Sequence, residues 1–325
     1  MNIKAALQQR AKELNIALPK LLQHYAMERF LYRLSLSPVA DRFYLKGGML
    51  LMGVGAGTAR TTMDIDLLGR ISNSPESIQK AISSIIHTKP GVADGVSFSD
   101  NLEVTEITKD ALYVGLRISF TADVAGVHCD MKVDIGFSDE IYPAALMLDY
   151  PATLNGIPGA RLQCYSIESV VAEKWQAMVQ LKQMNSRMKD FYDLWFLSRR
   201  YSFTYATLHN AITRTFERRE TDMREYDILK TENYRKAQQA EWAAYIRKLK
   251  AATFQKKDAV EIPSRIFAEV LNEIMTWLEP VMIDVQYRTW KPGKGLAVRK
   301  LILHQKQNAR NAARFLAFCL SEGAD

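Results

Sequence analysis

The 325-residue chain predicts an α/β (α+β) protein, with a mixed-sheet core and flanking helices followed by a mostly helical C-terminal domain. Three observations carry this. Short apolar segments, each ended by a glycine or polar turn, recur between Phe43 and Phe137. From Ser166 onward the apolar residues return at helical spacing, as in Ile167, Val170, Val171, Trp175 and Met178, then Phe191, Leu194, Trp195 and Leu197. Between the two regimes lies a turn-rich loop (Pro151, Asn155-Gly156, Pro158-Gly159), which divides the chain into residues 1–160 and 161–325.

Taken in order, Lys4 to Leu34 repeats apolar residues every three or four positions (Leu7, Ala11, Leu14; Leu21, Leu22, Tyr25, Ala26, Phe30, Leu31) and predicts core-facing helices broken near Pro19. Phe43-Tyr44-Leu45, Lys46-Gly47-Gly48 and Met49-Leu50-Leu51-Met52 then read as strand, glycine turn and helix. A second strand is predicted over Ala59 to Leu68 and a helix over Ser77 to Ile86. Further strands are predicted at Leu102–Ile107, Leu112–Phe120 and His128–Phe137, the last two as a meander. Beyond Ser198 the chain is helix-compatible, punctuated at Pro263, Pro280 and Pro292-Gly293. No internal repeat is visible.

With 48% hydrophobic and 24% charged residues, 16 Gly and 10 Pro, the composition is that of a globular protein and excludes a low-complexity or collagen-like chain. No apolar run approaches the roughly 20 residues of a membrane span, and Met1-Asn2-Ile3-Lys4 opens no signal-like segment. Cys129, Cys164 and Cys319 are too few and too scattered for a disulfide framework or a metal knuckle. A reducing, cytoplasmic setting is the expectation. The five tryptophans read as packing residues, with Trp290 the best candidate for stacking on a base.

The net charge of +7 is unevenly spread: residues 1–198 hold 20 Lys and Arg against 21 Asp and Glu, residues 199–325 hold 23 against 15. From Arg288 to Arg314, eight basic residues (Arg288, Lys291, Lys294, Arg299, Lys300, Lys306, Arg310, Arg314) meet no acidic one. Such a stretch is either a solvated basic face or a surface for a polyanion, where each neutralised phosphate releases counterions.

The chemistry concentrates near Asp64-Ile65-Asp66. In a strand, alternate residues share a face, so both carboxylates point one way and Ile65 the other. Paired carboxylates repel unless a cation lies between them, and Mg²⁺ is the hard cation that joins a few carboxylates to substrate phosphates. Met131, Val133, Ile135 and Phe137 predict a core-facing strand that turns Asp134 toward the pair. Three carboxylates on adjacent strands are enough for the two-metal clamp of an in-line phosphoryl displacement. Gly47-Gly48, lacking Cβ atoms, lets the backbone approach a phosphate, and the helix start adds N–H groups.

Lys46-Gly47-Gly48 followed by Arg60-Thr61-Thr62-Met63-Asp64-Ile65-Asp66-Leu67 resembles motif I of the nucleotidyltransferase superfamily with a DNA polymerase beta-like palm. More narrowly it resembles the AbiEii/AbiGii toxin family, which includes the MenT toxins. Val133-Asp134-Ile135-Gly136-Phe137 is similar to motif II, Ala172-Glu173-Lys174-Trp175 to the lysine motif III, and Lys189-Asp190-Phe191-Tyr192-Asp193-Leu194 to the aspartate motif IV. The resemblance spans roughly residues 40–200. It implies a toxin that uses Mg²⁺ to move a nucleotide from an NTP to an RNA acceptor, in known relatives the tRNA 3′ end, so that translation stops. Carried over by position, Asp64 and Asp66 are metal ligands, with Asp134 the third carboxylate, and Gly47 and Gly48 bind the triphosphate. Lys174 contacts the donor phosphates, and Asp190 or Asp193 orients Lys174 or acts as a base. Met49 stands directly after the glycine pair, where many members carry Ser or Thr, so a hydroxyl would come from Thr58, Thr61 or Thr62. Arg60 either contacts a phosphate or braces Asp64 or Asp66. A cognate antitoxin is implied, in direct contact or acting on expression. Two rivals remain: a catalytically silent RNA- or antitoxin-binding protein, and an enzyme that nucleotidylates a protein or small molecule.

Overall fold

The computed structural model describes residues 1–55, 62–109, 113–253, 261–283 and 289–291. Helices α1 (Ile3–Glu13) and α2 (Leu18–Leu36) open the chain, with Asn2 capping α1 by accepting from the Ala5 amide at 3.1 Å. There follow β1 (Phe43–Lys46), the seven-residue α3 (Gly47–Gly53), β2 (Ile65–Gly69) and α4 (Pro75–Ile86). Next come β3 (Val96–Phe98), β4 (Glu103–Lys109), β5 (Tyr113–Val124), β6 (Val127–Gly136), β7 (Leu146–Asp149) and β8 (Arg161–Cys164). The remainder is α5 (Ile167–Leu181), α6 (Met188–Arg200), β9 (Phe203–Thr204), α7 (Tyr205–Arg218), α8 (Glu232–Thr253), α9 (Phe267–Ile283) and β10 (Thr289–Trp290), with a 3₁₀ segment over Met223–Lys230.

Strands β1 to β8 form one mixed sheet in the order β3-β5-β6-β2-β1-β8-β7, with β4 also paired to β5, and β9 and β10 pair antiparallel with each other. β1 runs antiparallel to β2, β2 parallel to β6, and β6 antiparallel to β5 as the expected meander. One face is apolar (Ile118, Phe120, Met131, Val133, Ile135) and is covered by α2, which packs on β5, β6 and β8. The helices from α5 to α9 pack on one another, burying Trp175, Trp195, Trp242 and Trp277. No described helix is long and apolar enough to cross a membrane.

Three expectations are corrected. β2 begins at Ile65, so Asp64 lies just ahead of the strand rather than inside it. Pro280 does not interrupt a helix but sits inside α9, near its end, where a missing N–H costs one hydrogen bond of a helix held by its buried apolar face. Trp290 is no open platform: its indole N–H donates to the Ser198 carbonyl at 2.7 Å and its ring packs near Trp277. Strands β3, β7 and β8 were beyond the reach of periodicity, being three or four residues long.

Helix α2 also buries charge. Arg33 forks onto Asp94 at 2.9 and 3.1 Å and donates to the Val96 carbonyl at 2.8 Å, and Glu28 and Arg29 pair beside it with no exposure. Arg33→Met is expected to lower stability by about 3–5 kcal/mol in urea titrations, because it strands the Asp94 carboxylate in the interior. Arg33→Met with Asp94→Asn should recover most of that loss.

Candidate active site

One row of residues crosses four neighbouring strands. Lys46 on β1 pairs in register with Asp66 on β2, Asp66 with Asp134 on β6, and Asp134 with Arg117 on β5. The row reads cation, carboxylate, carboxylate, cation. It floors a cavity of about 390 Å³ whose other wall comes from α5, α6 and Arg219, the residue after α7.

The glycine pair fits this floor closely. Gly47 has φ +65°, and a Cβ there would stand 2.1 Å from Asp66 Oδ2; a Cβ on Gly48 would stand 2.6 Å from the Thr62 Cβ. No side chain fits at either place without moving the residues that line the cavity. Gly47→Ala is expected to cost about 1–2 kcal/mol from its left-handed backbone alone and to push the Asp66 carboxylate aside. A melting curve and a transfer assay on the same preparation would show both losses. Met49 is buried, its sulfur accepting from the Tyr150 hydroxyl at 3.6 Å, while Thr62 brings a hydroxyl beside Gly48.

Thr62 Oγ1 also lies 3.2 Å from Asp64 Oδ1, which accepts from the Met63 amide at 3.3 Å. Asp134, 2% exposed, is gripped by both forks of Arg117: Nε at 2.8 Å and Nη2 at 3.0 Å. The Asp134 hydrogen bonds, and then the charges of Asp134, Asp64 and Asp66, push the Arg117 guanidinium up against the effect of its partial burial. All three carboxylates therefore act on one arginine. Among the described residues, however, no three His, Cys, Asp or Glu side chains converge to hold a metal as they stand.

Across the cavity, Lys174 of α5 is 9% exposed and reaches Asp190 Oδ1 at 2.7 Å and Asp193 Oδ2 at 2.8 Å. Asp190 and Asp193 stand three apart on one face of α6, so both meet the same ammonium. Arg187 Nε lies 2.7 Å from Asp190 Oδ2. Burial pushes the Asp190 carboxyl up, but Lys174 and Arg187 outweigh it and hold it well below the usual carboxylate range. Asp190 is thus ionised and weakly basic at neutral pH, which suits it to orienting Lys174 and not to accepting a proton.

A second cluster joins sheet to helices. Lys46 Nζ meets Asp139 at 2.5 Å and Glu173 at 3.1 Å, and Arg219, just past α7, meets Asp139 at 2.7 Å and Gln176 at 2.8 Å. Burial acts first on each acid of this cluster. Lys46 and Arg219 overcome it at Asp139, which is held well below its ordinary range, whereas at Glu173 burial and the neighbouring Asp139 charge keep the carboxyl raised.

The structure brings Gly47, Gly48, Thr62, Asp64, Asp66, Asp134, Lys174 and Asp190 to one cavity, with Asp193 directly behind Lys174. Arg60, Thr58 and Thr61 lie outside the described residues, as does the basic stretch from Arg288 to Arg314 apart from Thr289, Trp290 and Lys291. Sequence reasoning passed over Arg117, Asp139, Glu173 and Arg219. Arg117 alone left a signal, as a charged residue in an otherwise apolar strand.

Half-buried carboxylates at Asp64 and Asp66, beside backbone that carries no Cβ, form a hard-oxygen donor set and suit a divalent cation. Carboxylates that suit a cation on one wall and a buried lysine on the other are compatible with nucleotide transfer, and the family match makes the class a nucleotidyltransferase. The chain belongs to the family described as "Nucleotidyl transferase AbiEii toxin, Type IV TA system", matched over residues 29–263. It is similar to the crystal structure of JHP933 from Helicobacter pylori, with 15% identity over 81% of this chain and 91% of that one and a TM-score of 0.43. It is also similar to MenT4, a nucleotidyltransferase toxin from Mycobacterium tuberculosis H37Rv, with 14% identity over 97% and 99% and a TM-score of 0.49. Comparison with curated protein sequences finds no match.

Proposed function

We propose that this protein is a Mg²⁺-dependent toxin that transfers nucleotides from an NTP to an RNA acceptor, the tRNA 3′ end, and so blocks translation in the cytoplasm. The observation that carries the reading is the opposition, across one cavity, of the Gly47-Gly48/Asp66 contact and the Lys174–Asp190–Asp193 triad. Asp64 and Asp66 would hold Mg²⁺, which when bound neutralises phosphate charge and favours an oxygen nucleophile. Asp134 would add a third ligand through the lone pairs that Arg117 leaves open.

The rest belongs to the chain's own groups. The backbone of Gly47 and Gly48 admits the triphosphate closely, with the Thr62 hydroxyl beside it. Lys174, fixed by Asp190 and Asp193, faces the donor phosphates and neutralises the charge that grows as pyrophosphate departs. The acceptor 3′-hydroxyl attacks the α-phosphorus from the opposite side, losing its proton to solvent as its bond to phosphorus forms and the bond to pyrophosphate breaks. Positioning and fixed charge supply most of the acceleration. Residues 161–325, which carry the basic excess, would hold the RNA, and membership of a toxin–antitoxin family implies a cognate antitoxin.

The test is incubation of the purified protein with total tRNA, Mg²⁺ and each α-³²P-labelled NTP in turn. Label on tRNA is the expected result, and it names the donor base. Metal-independent tRNA binding without label from any NTP would overturn the reading in favour of a silent binding protein.

A further inference from the structure

We propose that Arg117, held in place by Asp134, binds the phosphodiester backbone of the RNA acceptor near its 3′ end. The inference rests on the RNA-transfer reading and deepens it. Its basis is the row across the sheet. Lys46 and the glycine pair stand at one end, Asp66 and Asp134 in the middle, and Arg117 at the other end. With neighbouring strands about 4.8 Å apart, the two ends are roughly 14 Å from each other, with the carboxylates between them.

In-line displacement places the attacking and leaving oxygens on opposite sides of phosphorus. The leaving pyrophosphate belongs with the glycine pair and Lys174, so the acceptor approaches from the far side of Asp66. That is the side of Arg117. The geometry of the guanidinium agrees. Nε and Nη2 are spent on Asp134, which is buried and cannot leave the strand, whereas Nη1 makes no hydrogen bond to any described residue and the side chain lines the cavity with about a third of its surface open. A fork clamped on one edge presents its remaining edge in a fixed direction, which is how an arginine is made into a positioned phosphate donor.

Beside Arg117 the same face of β6 carries a further base, while β4 on its outer side sets Thr105 opposite Arg117 and Glu103 opposite Ser119. Lys132 lies two positions before Asp134 on β6 and so shares its face, exposed and in register with Ser119 of β5. It also lines a groove of about 380 Å³ with Lys20, His128 and Met63, and Met63 adjoins Asp64. Asp130 lies in the same groove, so the contact is local to the basic side chains. By this account Arg117 is a substrate-binding residue and Asp134 its positioning residue.

The test measures two affinities on the full-length protein: for a short RNA hairpin with a single-stranded 3′ tail, by fluorescence anisotropy over a range of salt, and for each radiolabelled NTP with Mg²⁺, by equilibrium dialysis. Arg117→Gln should weaken RNA binding about tenfold and reduce the slope of log K against log salt by about 0.7, the loss of one phosphate contact, with NTP affinity unchanged. Arg117→Lys should keep the slope while losing part of the affinity. Because Arg117→Gln leaves a buried carboxylate alone, the pair Arg117→Gln with Asp134→Asn keeps the fold balanced and should lose RNA affinity and slope to the same extent. Loss of NTP binding with RNA binding intact would move Arg117 to the donor side and overturn the proposal. No change in either affinity would leave Arg117 as a counter-ion to Asp134 and overturn it equally. A wild-type protein that binds NTP but no RNA would bring down the RNA-transfer reading itself, a result separable from the other two.

Discussion

Lys174→Ala is expected to abolish nucleotide transfer and also to lower stability by about 3–5 kcal/mol, because it removes the shared partner of two carboxylates that have no solvent exposure. For a protein of this size that is roughly a 10 °C fall in melting temperature. The two losses have separate causes and can be taken apart. Lys174→Met combined with Asp190→Asn and Asp193→Asn removes all three charges, so it should regain most of the stability in a urea titration while transfer stays absent. If that triple variant transferred label, Lys174 would hold the helices together without touching the donor phosphates.

The same triad sets a pH dependence whose sign can be worked out. The Asp190 carboxyl lies below its ordinary value in the folded protein because Lys174 and Arg187 outweigh its burial. Its contribution to stability is therefore complete above the unfolded-state value of about 4 and is lost as pH falls below it. The stability difference between the wild type and Lys174→Met should accordingly be widest near neutral pH, begin to narrow above about pH 4 as burial makes the stranded carboxylates take up protons early, and go on narrowing below it as the wild-type pair is lost. Denaturant midpoints at a series of pH values measure this directly.

Asp66→Asn is expected to leave the fold intact and to reduce transfer by at least about 10³-fold. Asn has the shape of Asp, and position 66 is only half buried, so the change in stability should stay within about 1 kcal/mol. What is lost is the negative charge that Gly47 is shaped to admit. Transfer at the wild-type rate in this variant would remove Asp66 from the metal site. Label on tRNA with the wild type and none with the variant would assign the activity to this cavity and not to a contaminant.

Much of the site was legible because it is local in the chain. Lys46-Gly47-Gly48 sits where a strand turns into a helix, and Asp64-Ile65-Asp66 follows the alternation of an extended chain even though the regular strand begins one residue later. Asp134 was legible from the apolar alternation of β6, and its register with Asp66 follows once those strands are neighbours. The contacts of Asp190 and Asp193 with Lys174 were implied by the family resemblance; helical spacing allowed them without assigning them. Arg117, Asp139, Glu173 and Arg219 were different. Each has its meaning through a partner between 17 and 127 residues away, and a charged residue read alone is taken for a solvated one. Helix α2 hid its character in the same way: Glu28, Arg29 and Arg33 look like the wet face of an amphipathic helix and are all buried.

The sequence by itself determined the class of fold, the order of most elements, the glycine cradle and the paired carboxylates, because these follow from periodicity and from residue types whose backbone freedom or charge is legible at short range. Only the tertiary structure decided that Asp134 is gripped by Arg117, that Lys46 belongs with Asp139 and Glu173, and that both walls of the cavity face one another. The reason is physical: a buried charge is tolerated only beside its partner, and which partner that is depends on how strands far apart in the chain come to lie side by side.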